Sequence, residues 1–194
     1  LEGLFQLATQ GFDFSLKKVE NYTPKNRTLL YVLHNSLPYN SGGYATRAHG
    51  LMVGALQGGW DVHVVTRRGY PNDRKGLTDS VGPEFEIIDG VKYHRLFEEI
   101  RGFGKIPFNT YLQEFSLHLA EKVKEIRPCI IHAASNHTIG LATNKVAHAF
   151  DIPSIYEIRG LWEITRISRQ PDFENSEYYN MMSRLECQSA IEAT

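Results

Sequence analysis

Four apolar runs, each followed by a polar stretch, constrain the fold of this chain more than any other feature. They are TLLYVLHN (28–35), DVHVVTRR (61–68), CIIHAAS (129–135) and SIYEIRG (154–160). Continuous apolar runs of this length are typical of strands buried on both faces. Segments with helical spacing lie between them, and this alternation predicts a mostly parallel sheet with helices on both faces, an α/β fold. Such sheets bind ligands at the carboxyl ends of their strands, so the residues after each run are the candidates for a site.

The segments between and after these runs carry apolar stripes that predict helices. The segment after the first run places on one face Tyr44, Ala48, Leu51, Met52, Ala55 and Leu56. The segment before the third run does the same with Leu112, Phe115, Leu119, Val123 and Ile126, and the last segment with Tyr178, Met181, Met182 and Leu185. A further stretch, FEIIDGVKYHRL, is typical of a β-hairpin because its Asp-Gly pair favours a tight turn.

The composition is that of an ordinary globular protein. Of the 194 residues, 42% are hydrophobic and 22% are charged, which is enough apolar material for a core. The net charge of -1 lacks the basic excess of nucleic-acid-binding proteins, so we expect no nucleic-acid partner. The two cysteines, Cys129 and Cys187, make no disulfide framework, which favours a reducing compartment such as the cytoplasm. No apolar run reaches the length that spans a membrane.

The ends of the chain indicate that it is a fragment of a longer protein. It begins with Leu1 rather than methionine and ends at Thr194 within a helical pattern. Residues 1–27 are a polar and aromatic lead-in without a clear period, and residues 28–194 are predicted to form one domain. We therefore expect a site in that domain to be shared with a segment outside these residues.

Two adjacent glycines, Gly42 and Gly43, stand between the first run and the helix predicted after it. A glycine reaches positive φ, and its missing side chain lets a ligand approach the backbone. At a helix N-terminus it also exposes backbone N–H groups at the positive end of the helix dipole, which suits a phosphate or another anion. The alternative is a tight strand-to-helix turn that binds nothing. The spacing is neither GxGxxG nor a Walker loop.

Other polar residues lie close to the ends of the apolar runs. Arg47, four residues after Gly43, could reach an anion over the loop or be a solvated helix charge. His34 either faces a cleft or bonds to the backbone as a core histidine. His132 and His137 lie at the end of the third run, where a metal site would need a further ligand that the local spacing does not supply. A hydrogen-bonding role toward a hydroxylated ligand is therefore favoured for these two histidines.

The fourth run continues into YEIRGLWE, where charged and aromatic residues meet. Arg159 with Glu157 or Glu163 would form an ion pair within a buried strand, which is the purely structural interpretation. The functional interpretation is a polar and aromatic wall of a cleft, in which Trp162 packs against a sugar or a lipid chain.

The loop RGFGKIPF, residues 101–108, joins two basic residues to three apolar ones. This composition suits peripheral contact with the anionic inner face of a membrane, and equally an ordinary surface loop. The eight histidines are too scattered to define a triad, and neither GxSxG nor HExxH occurs. The sequence therefore gives no sign of a hydrolase triad or of a metalloprotease site.

Two long segments resemble a known family. LYVLHNSLPYNSGGYATRAHGLMVGALQGGWDVHVVTRR and IRPCIIHAASNHTIGLATNKVAHAFDIPSIYEIRGLWE are similar to the amino-terminal part of retaining glycosyltransferases of family four, which have the GT-B architecture. The order of the motifs carries the resemblance over residues 28–163. It implies a Rossmann-like three-layer sandwich that is one half of a GT-B enzyme, the acceptor side, with the donor domain outside this chain.

The resemblance also implies a function and a site. Family members transfer a sugar from a nucleotide sugar to a hydroxyl of an acceptor, such as a glycan or a lipid-linked molecule, with retention; we expect no metal or other cofactor. The resemblance assigns donor diphosphate binding to Gly42 and Gly43, catalysis to His132, His137 and Arg159, and acceptor binding to His34, Arg47, Trp162 and Glu163. Retaining transfer in this fold depends largely on positioning and on stabilising charge on the leaving diphosphate. We expect the 194 residues alone to be inactive.

Two alternatives remain. A Rossmann-like ligand-binding module without transfer activity would account for Ala134, which stands where many family members carry a second histidine. A nicotinamide-dependent oxidoreductase is less well supported, because GxGxxG and a ribose-binding acid after the second strand are missing.

Overall fold

The computed structural model describes residues 2–73, 82–96 and 106–194. The strands are β1 (Thr28–Leu33), β2 (Asp61–Thr66), β3 (Phe85–Ile88), β4 (Val91–His94), β5 (Ile130–Ala134) and β6 (Ser154–Glu157). The helices are α1 (Glu2–Gln10), α2 (Gly43–Gln57), α3 (Phe108–Ile126), α4 (His137–Phe150), α5 (Trp162–Ile167) and α6 (Glu177–Ile191), and a 3-10 turn covers Pro171–Asn175.

Within those ranges the strands form one sheet in the order β3-β4-β2-β1-β5-β6. All neighbouring strands run parallel except β3, which is antiparallel to β4. The predicted mostly parallel sheet is therefore confirmed. So is the hairpin: Asp89 and Gly90 join β3 to β4 with φ values of 50° and 82°, the two positive angles of the turn that Asp-Gly favours.

Helices cover both faces of this sheet, which confirms the predicted three-layer sandwich. On one face α3 and α4 enclose the largest apolar cluster, in which Phe115 and Val146 pack with Leu30 and Ile131 of the central strands. On the other face Met52 of α2 belongs to a second cluster with residues of β1, β2 and β4. The apolar runs of β1 and β2 are thus buried from both sides, as their sequences indicate.

The predicted apolar stripes are correct for one helix and partly wrong for two. All five predicted stripe residues of α3 are at least 97% buried. In α2 the expectation for Leu51 is wrong, because Leu51 is 44% exposed and the buried positions are Ala45, Ala48 and Met52. Leu51 lies at the margin of that stripe, where helical spacing alone does not decide burial. In α6 Tyr178 is likewise 44% exposed.

The lead-in of residues 1–27 packs onto the domain. It contains α1, whose Leu7 joins a third apolar cluster with residues of α3, α4 and α6. Beyond α1 the chain is bonded to α4 and to the loop before β5: the Val19 N–H donates to the Ala149 carbonyl at 2.8 Å, and the Tyr22 hydroxyl donates to the Pro128 carbonyl at 2.8 Å. The lead-in is therefore part of the folded unit.

Residues 101–105 of the basic and apolar loop lie outside the described ranges, so membrane contact by that loop stays a prediction. In the part of the chain that is described, no helix combines the length and the apolar character needed to cross a bilayer. The same part contains no group of three or more His, Cys, Asp or Glu side chains placed to hold a metal ion.

Candidate functional site

The parallel strands bring the predicted site residues to one edge of the sheet. Leu33 of β1 pairs with Thr66 of β2, and Ala134 of β5 pairs with Glu157 of β6, so the chain leaves all four strands at the same level. The residues that follow these strands include every site residue predicted from the sequence except His132, which lies within β5. The site described below therefore occupies the carboxyl edge, where open parallel sheets bind ligands.

Two buried arginines hold the loop that leads from β1 to α2. Arg95, whose side chain is fully buried, donates to Ser36 Oγ at 2.6 Å and to the Leu37 carbonyl at 2.8 Å. Its charge is balanced by Glu86 Oε1 at 2.5 Å. Arg67 donates to the carbonyl of His34. Because the loop is bonded at His34, Ser36 and Leu37, it reaches α2 in a defined path.

The glycine pair ends that loop. Gly42 is the residue before α2, with φ -67° and ψ 164°, and its N–H donates to Asn40 Oδ1 at 2.8 Å. Neither Gly42 nor Gly43 has a positive φ, so the expected conformational reason for glycine is wrong here. A Cβ at Gly43 would meet no atom within 4 Å, so the space beside Gly43 is open, and the approach of a ligand there stays a prediction. The N–H groups of Gly43 and Tyr44 in the first turn have no intrahelical acceptor.

Helix α4 begins at the same edge but is closed by a carboxylate. Glu186 of α6 accepts the N–H of His137, the first residue of α4, at 2.9 Å. Glu186 is 6% exposed and also accepts the Tyr156 hydroxyl at 2.5 Å. An anion-binding position at the start of α4 is therefore already filled by the protein. The first N–H group of α4 is thus taken by Glu186, whereas no acceptor is found for the first N–H group of α2 among the described residues.

Glu157, at the end of β6, joins most of the polar residues of this edge. Its carboxylate accepts the Tyr31 hydroxyl at 2.5 Å and Arg159 Nη2 at 3.0 Å, and it lies 3.0 Å from Arg47 Nη2 and 3.3 Å from His132 Nε2. Burial alone would raise the pKa of Glu157, but the hydrogen bonds from Tyr31 and Arg159 outweigh it and the pKa lies below its usual value. Glu157 was absent from the predicted site; a carboxylate within a buried strand was the signal that could have placed it there.

Arg159, predicted to be catalytic, donates several hydrogen bonds to the protein. Besides Glu157, its guanidinium donates to the Tyr31 hydroxyl and, at 2.7 Å, to the carbonyl of Tyr44. Its backbone N–H donates to Ser135 Oγ at 3.0 Å, and its side chain is only 6% exposed. Through Tyr44, Arg159 ties the end of β6 to the first turn of α2. Its contacts are those of a positioning residue, and direct catalysis by it stays a prediction.

The three histidines predicted for the site, His34, His132 and His137, are buried to different degrees. Burial lowers the pKa of His34 to about 3, with further lowering by Arg67 and His137. Burial also lowers the pKa of His132, against an opposing effect of Glu157. At neutral pH both of these imidazoles are therefore uncharged and suited to hydrogen bonding. His137 is 6% exposed, with Nδ1 3.6 Å from Glu186 Oε2.

The residues predicted to bind the acceptor differ in exposure. Trp162 is 44% exposed and meets the ring of His34 edge-on, with 5.2 Å between the centroids. Glu163 is 4% exposed. Arg47 keeps 62% of its side chain exposed while it pairs with Glu157. Trp162, which contacts the ring of His34, and Arg47 are thus exposed at the carboxyl edge, whereas Glu163 is buried.

Several polar atoms at this edge are sealed from solvent and lack a partner among the described residues. They are His34 Nδ1, Asn35 Oδ1, Thr66 Oγ1, Asn136 Oδ1 and Arg159 Nε. An unpaired buried polar group costs about 1–3 kcal/mol, and such groups are few in native proteins. At the ends of four neighbouring strands these atoms are therefore left for water or a ligand to bond.

Comparison with known proteins agrees with this geometry. The family model for a glycosyl transferase 4-like domain matches residues 42–188. Among solved structures the chain is similar to sucrose-phosphate synthase from Thermosynechococcus elongatus, with a TM-score of 0.57 and 15% identity over 84% of this chain. It spans 41% of the length of that enzyme, and at this identity the likeness shows a shared fold, one half of a GT-B architecture. No curated protein sequence matches the chain. The family match covers most of the chain, which therefore belongs to the glycosyl transferase 4-like domain family.

Proposed function

We propose that this chain is the acceptor-side half of a retaining glycosyltransferase that uses a nucleotide-sugar donor. The observation that carries the proposal is the uncapped N-terminus of α2, with Gly43 facing open space at the carboxyl edge. A diphosphate placed there receives the N–H groups of Gly43 and Tyr44. Backbone donors that are held before the reaction stabilise the charge that develops on the leaving diphosphate.

The ion pairs of Glu157 with Arg47 and Arg159 support this role for α2. Arg159 bonds the carbonyl of Tyr44 and Arg47 pairs with Glu157, so the first turns of α2 are fixed to β6. Fixed donors need no reorganisation when charge develops, which is the source of their effect. The side chain of Arg47 is 62% exposed although it pairs with Glu157, and it adds positive charge beside the N-terminus of α2.

The acceptor, a glycan or a lipid-linked molecule, is proposed to lie between α2 and the segment after β6. Neutral His34 and His132 are suited to hydrogen bonds with its hydroxyl groups, and Trp162 offers an apolar face. His137 is proposed to contact the reacting hydroxyl. No metal ion is proposed, because backbone donors supply the stabilisation of the diphosphate.

The proposal is tested by titrating the isotope-labelled chain with UDP and with GDP and following the amide signals by NMR. We expect the Gly43 and Tyr44 amides to shift, and Gly43→Ala to weaken binding about ten-fold, since a methyl group fills the space where the phosphate approaches. Gly50→Ala is the matched control, because Gly50 lies on the same helix and also has no atom within 4 Å of an added Cβ. Equal affinities of the two variants would contradict the diphosphate position.

A binding module without transfer activity predicts the same amide shifts. The two hypotheses differ for the full-length protein. The binding module predicts that UDP- or GDP-sugars release no nucleoside diphosphate in the presence of hydroxylated acceptors. Turnover with net retention at the anomeric carbon, read by NMR of the product, would exclude the binding module.

A further inference from the structure

One carboxylate oxygen of Glu186 lies against two groups of the same residue. Oε2 of Glu186 accepts the backbone N–H of His137 at 2.9 Å and lies 3.6 Å from Nδ1 of the His137 ring. The contact to the main chain is enough to close the start of α4. The second contact adds something that closure does not need, because it places a negative charge beside one particular nitrogen of the imidazole.

The carboxyl group of Glu186 is itself held in one orientation. Its other oxygen, Oε1, accepts the Tyr156 hydroxyl at 2.5 Å, and the residue is 6% exposed. Each oxygen thus has its own donor, one from α4 and one from β6. Rotation of the carboxyl group would break both hydrogen bonds in a buried place, where unpaired polar groups are costly. Oε2 therefore stays directed at His137.

The main chain of His137 is also fixed, because the first turn of α4 packs closely against its neighbours. A Cβ at Gly140 would lie 2.6 Å from Cε2 of Tyr156 and 2.7 Å from Cβ of Ser189, closer than packed atoms approach. The Ser189 hydroxyl donates to the carbonyl of His137 at 3.5 Å. With its N–H and its carbonyl both held by α6, His137 moves only about its side-chain torsions.

The two nitrogens of the His137 ring have different surroundings. Nδ1 lies beside Glu186, whereas Nε2 has no hydrogen-bond or ion-pair partner in the ranges that the structure describes. Phe108 meets the ring edge-on, with 6.0 Å between the centroids. An uncharged imidazole carries one proton, and the neighbours of its nitrogens decide which of them holds it. A carboxylate attracts an N–H and repels a lone pair, so Glu186 favours the proton on Nδ1 and leaves the lone pair on Nε2.

We propose that Glu186 is a positioning residue that keeps the proton of the uncharged His137 ring on Nδ1, so that Nε2 accepts a hydrogen bond from the attacking hydroxyl of the acceptor. This inference rests on the proposed function, in which His137 contacts that hydroxyl. Glu186 touches no substrate and acts through the ring. A hydroxyl that donates to Nε2 has its oxygen lone pairs free for the sugar, and orientation of this kind lowers the barrier of a transfer reaction.

The tautomer of His137 tests the proposal without any enzymatic activity. Long-range proton–nitrogen NMR of the ring-labelled chain, at a pH at which the ring is uncharged, reads the tautomer, and His137→Gln identifies its signals. We expect the proton on Nδ1 in the wild type and a shift toward Nε2 in Glu186→Ala. Glu192→Ala is the matched control, because Glu192 at the end of α6 pairs with Lys145 of α4 at 3.1 Å, away from the ring. A proton on Nε2 in the wild type, which needs no variant, or an unchanged tautomer in Glu186→Ala, would overturn the proposal.

Turnover by the full-length protein tests whether Glu186 acts through His137. We expect Glu186→Ala to lower kcat about ten-fold with a smaller change in KM, and to have no further effect in a His137→Gln background. Glu192→Ala should leave kcat unchanged. Effects of Glu186→Ala and His137→Gln that multiply would show a separate, structural role and refute the inference. Absence of turnover in the wild type would count against the proposed function, whereas the tautomer would still decide whether Glu186 positions the ring.

Discussion

A single carboxylate organises the candidate site. Glu157 contacts the hydroxyl of Tyr31, the guanidinium groups of Arg47 and Arg159, and the ring of His132. Charged groups that leave water must find partners, and a network in which each member has one is stable and well defined. The chain thus gathers two guanidinium groups around one carboxylate beside the N-terminus of α2.

Buried histidines make the stability of the chain sensitive to acid. His94 is 7% exposed, with Nε2 2.9 Å from Nδ1 of His63, and burial lowers its pKa to about 4, with further lowering by His63 and Lys122. In the unfolded chain its pKa is about 6.5. Between these values the unfolded state binds a proton that the native state does not, so the free energy of unfolding falls as pH falls.

We predict that His94→Gln removes part of this acid sensitivity. The loss of unfolding free energy between pH 7 and pH 5 should be smaller in the variant by about 1–2 kcal/mol. Urea denaturation of both proteins at the two pH values measures it. An identical pH dependence would mean that His94 is protonated equally in the native and unfolded chains.

At the scale of elements, glycines with different surroundings predict opposite effects on stability. Gly50 lies exposed within α2 with no atom within 4 Å of an added Cβ, so Gly50→Ala should raise the free energy of unfolding by about 0.5–1 kcal/mol. Gly90 in the β3–β4 turn has φ +82°, so Gly90→Ala should lower it by about 1 kcal/mol or more. Chemical denaturation of both variants measures their free energies of unfolding. Changes of the same sign would contradict this prediction.

The two helices that begin at the carboxyl edge also differ as elements. Helix α4 is closed by Glu186 and α2 is open, although both follow a central strand and both begin without a side-chain cap of their own. Because Glu186 comes from α6, the last helix of the chain decides which of the two N-termini is available to an anion.

At the scale of the whole molecule, the lead-in contributes to a shared core. Leu7 of α1 is 1% exposed and belongs to the apolar cluster that includes Met182 and Leu185 of α6. We predict that Leu7→Ala lowers the free energy of unfolding by about 2–4 kcal/mol, through lost burial and the cavity left behind. Leu117→Ala is the control, because Leu117 is 50% exposed and should change stability by less than about 1 kcal/mol. Similar losses for both would show that α1 does not pack as described.

The chain's periodicity determined its sheet, its helices and the edge that carries the candidate site. Strand and helix periods report which residues are buried, and parallel strands place their carboxyl ends together, so the positions of Gly42, Gly43, His34 and His132 followed from local patterns. The inward stripe of α3 was predictable for the same reason.

Only the tertiary structure decided which of those polar groups are already satisfied. The contacts of Glu157 with Tyr31 and Arg47 and the closure of α4 by Glu186 join residues from different elements. Long-range contacts of this kind leave no period in the sequence, because a partner far along the chain is selected by packing. The sequence by itself therefore determined which edge of the sheet carries the candidate site, whereas the fold decided which polar groups of that edge are already paired within the described residues.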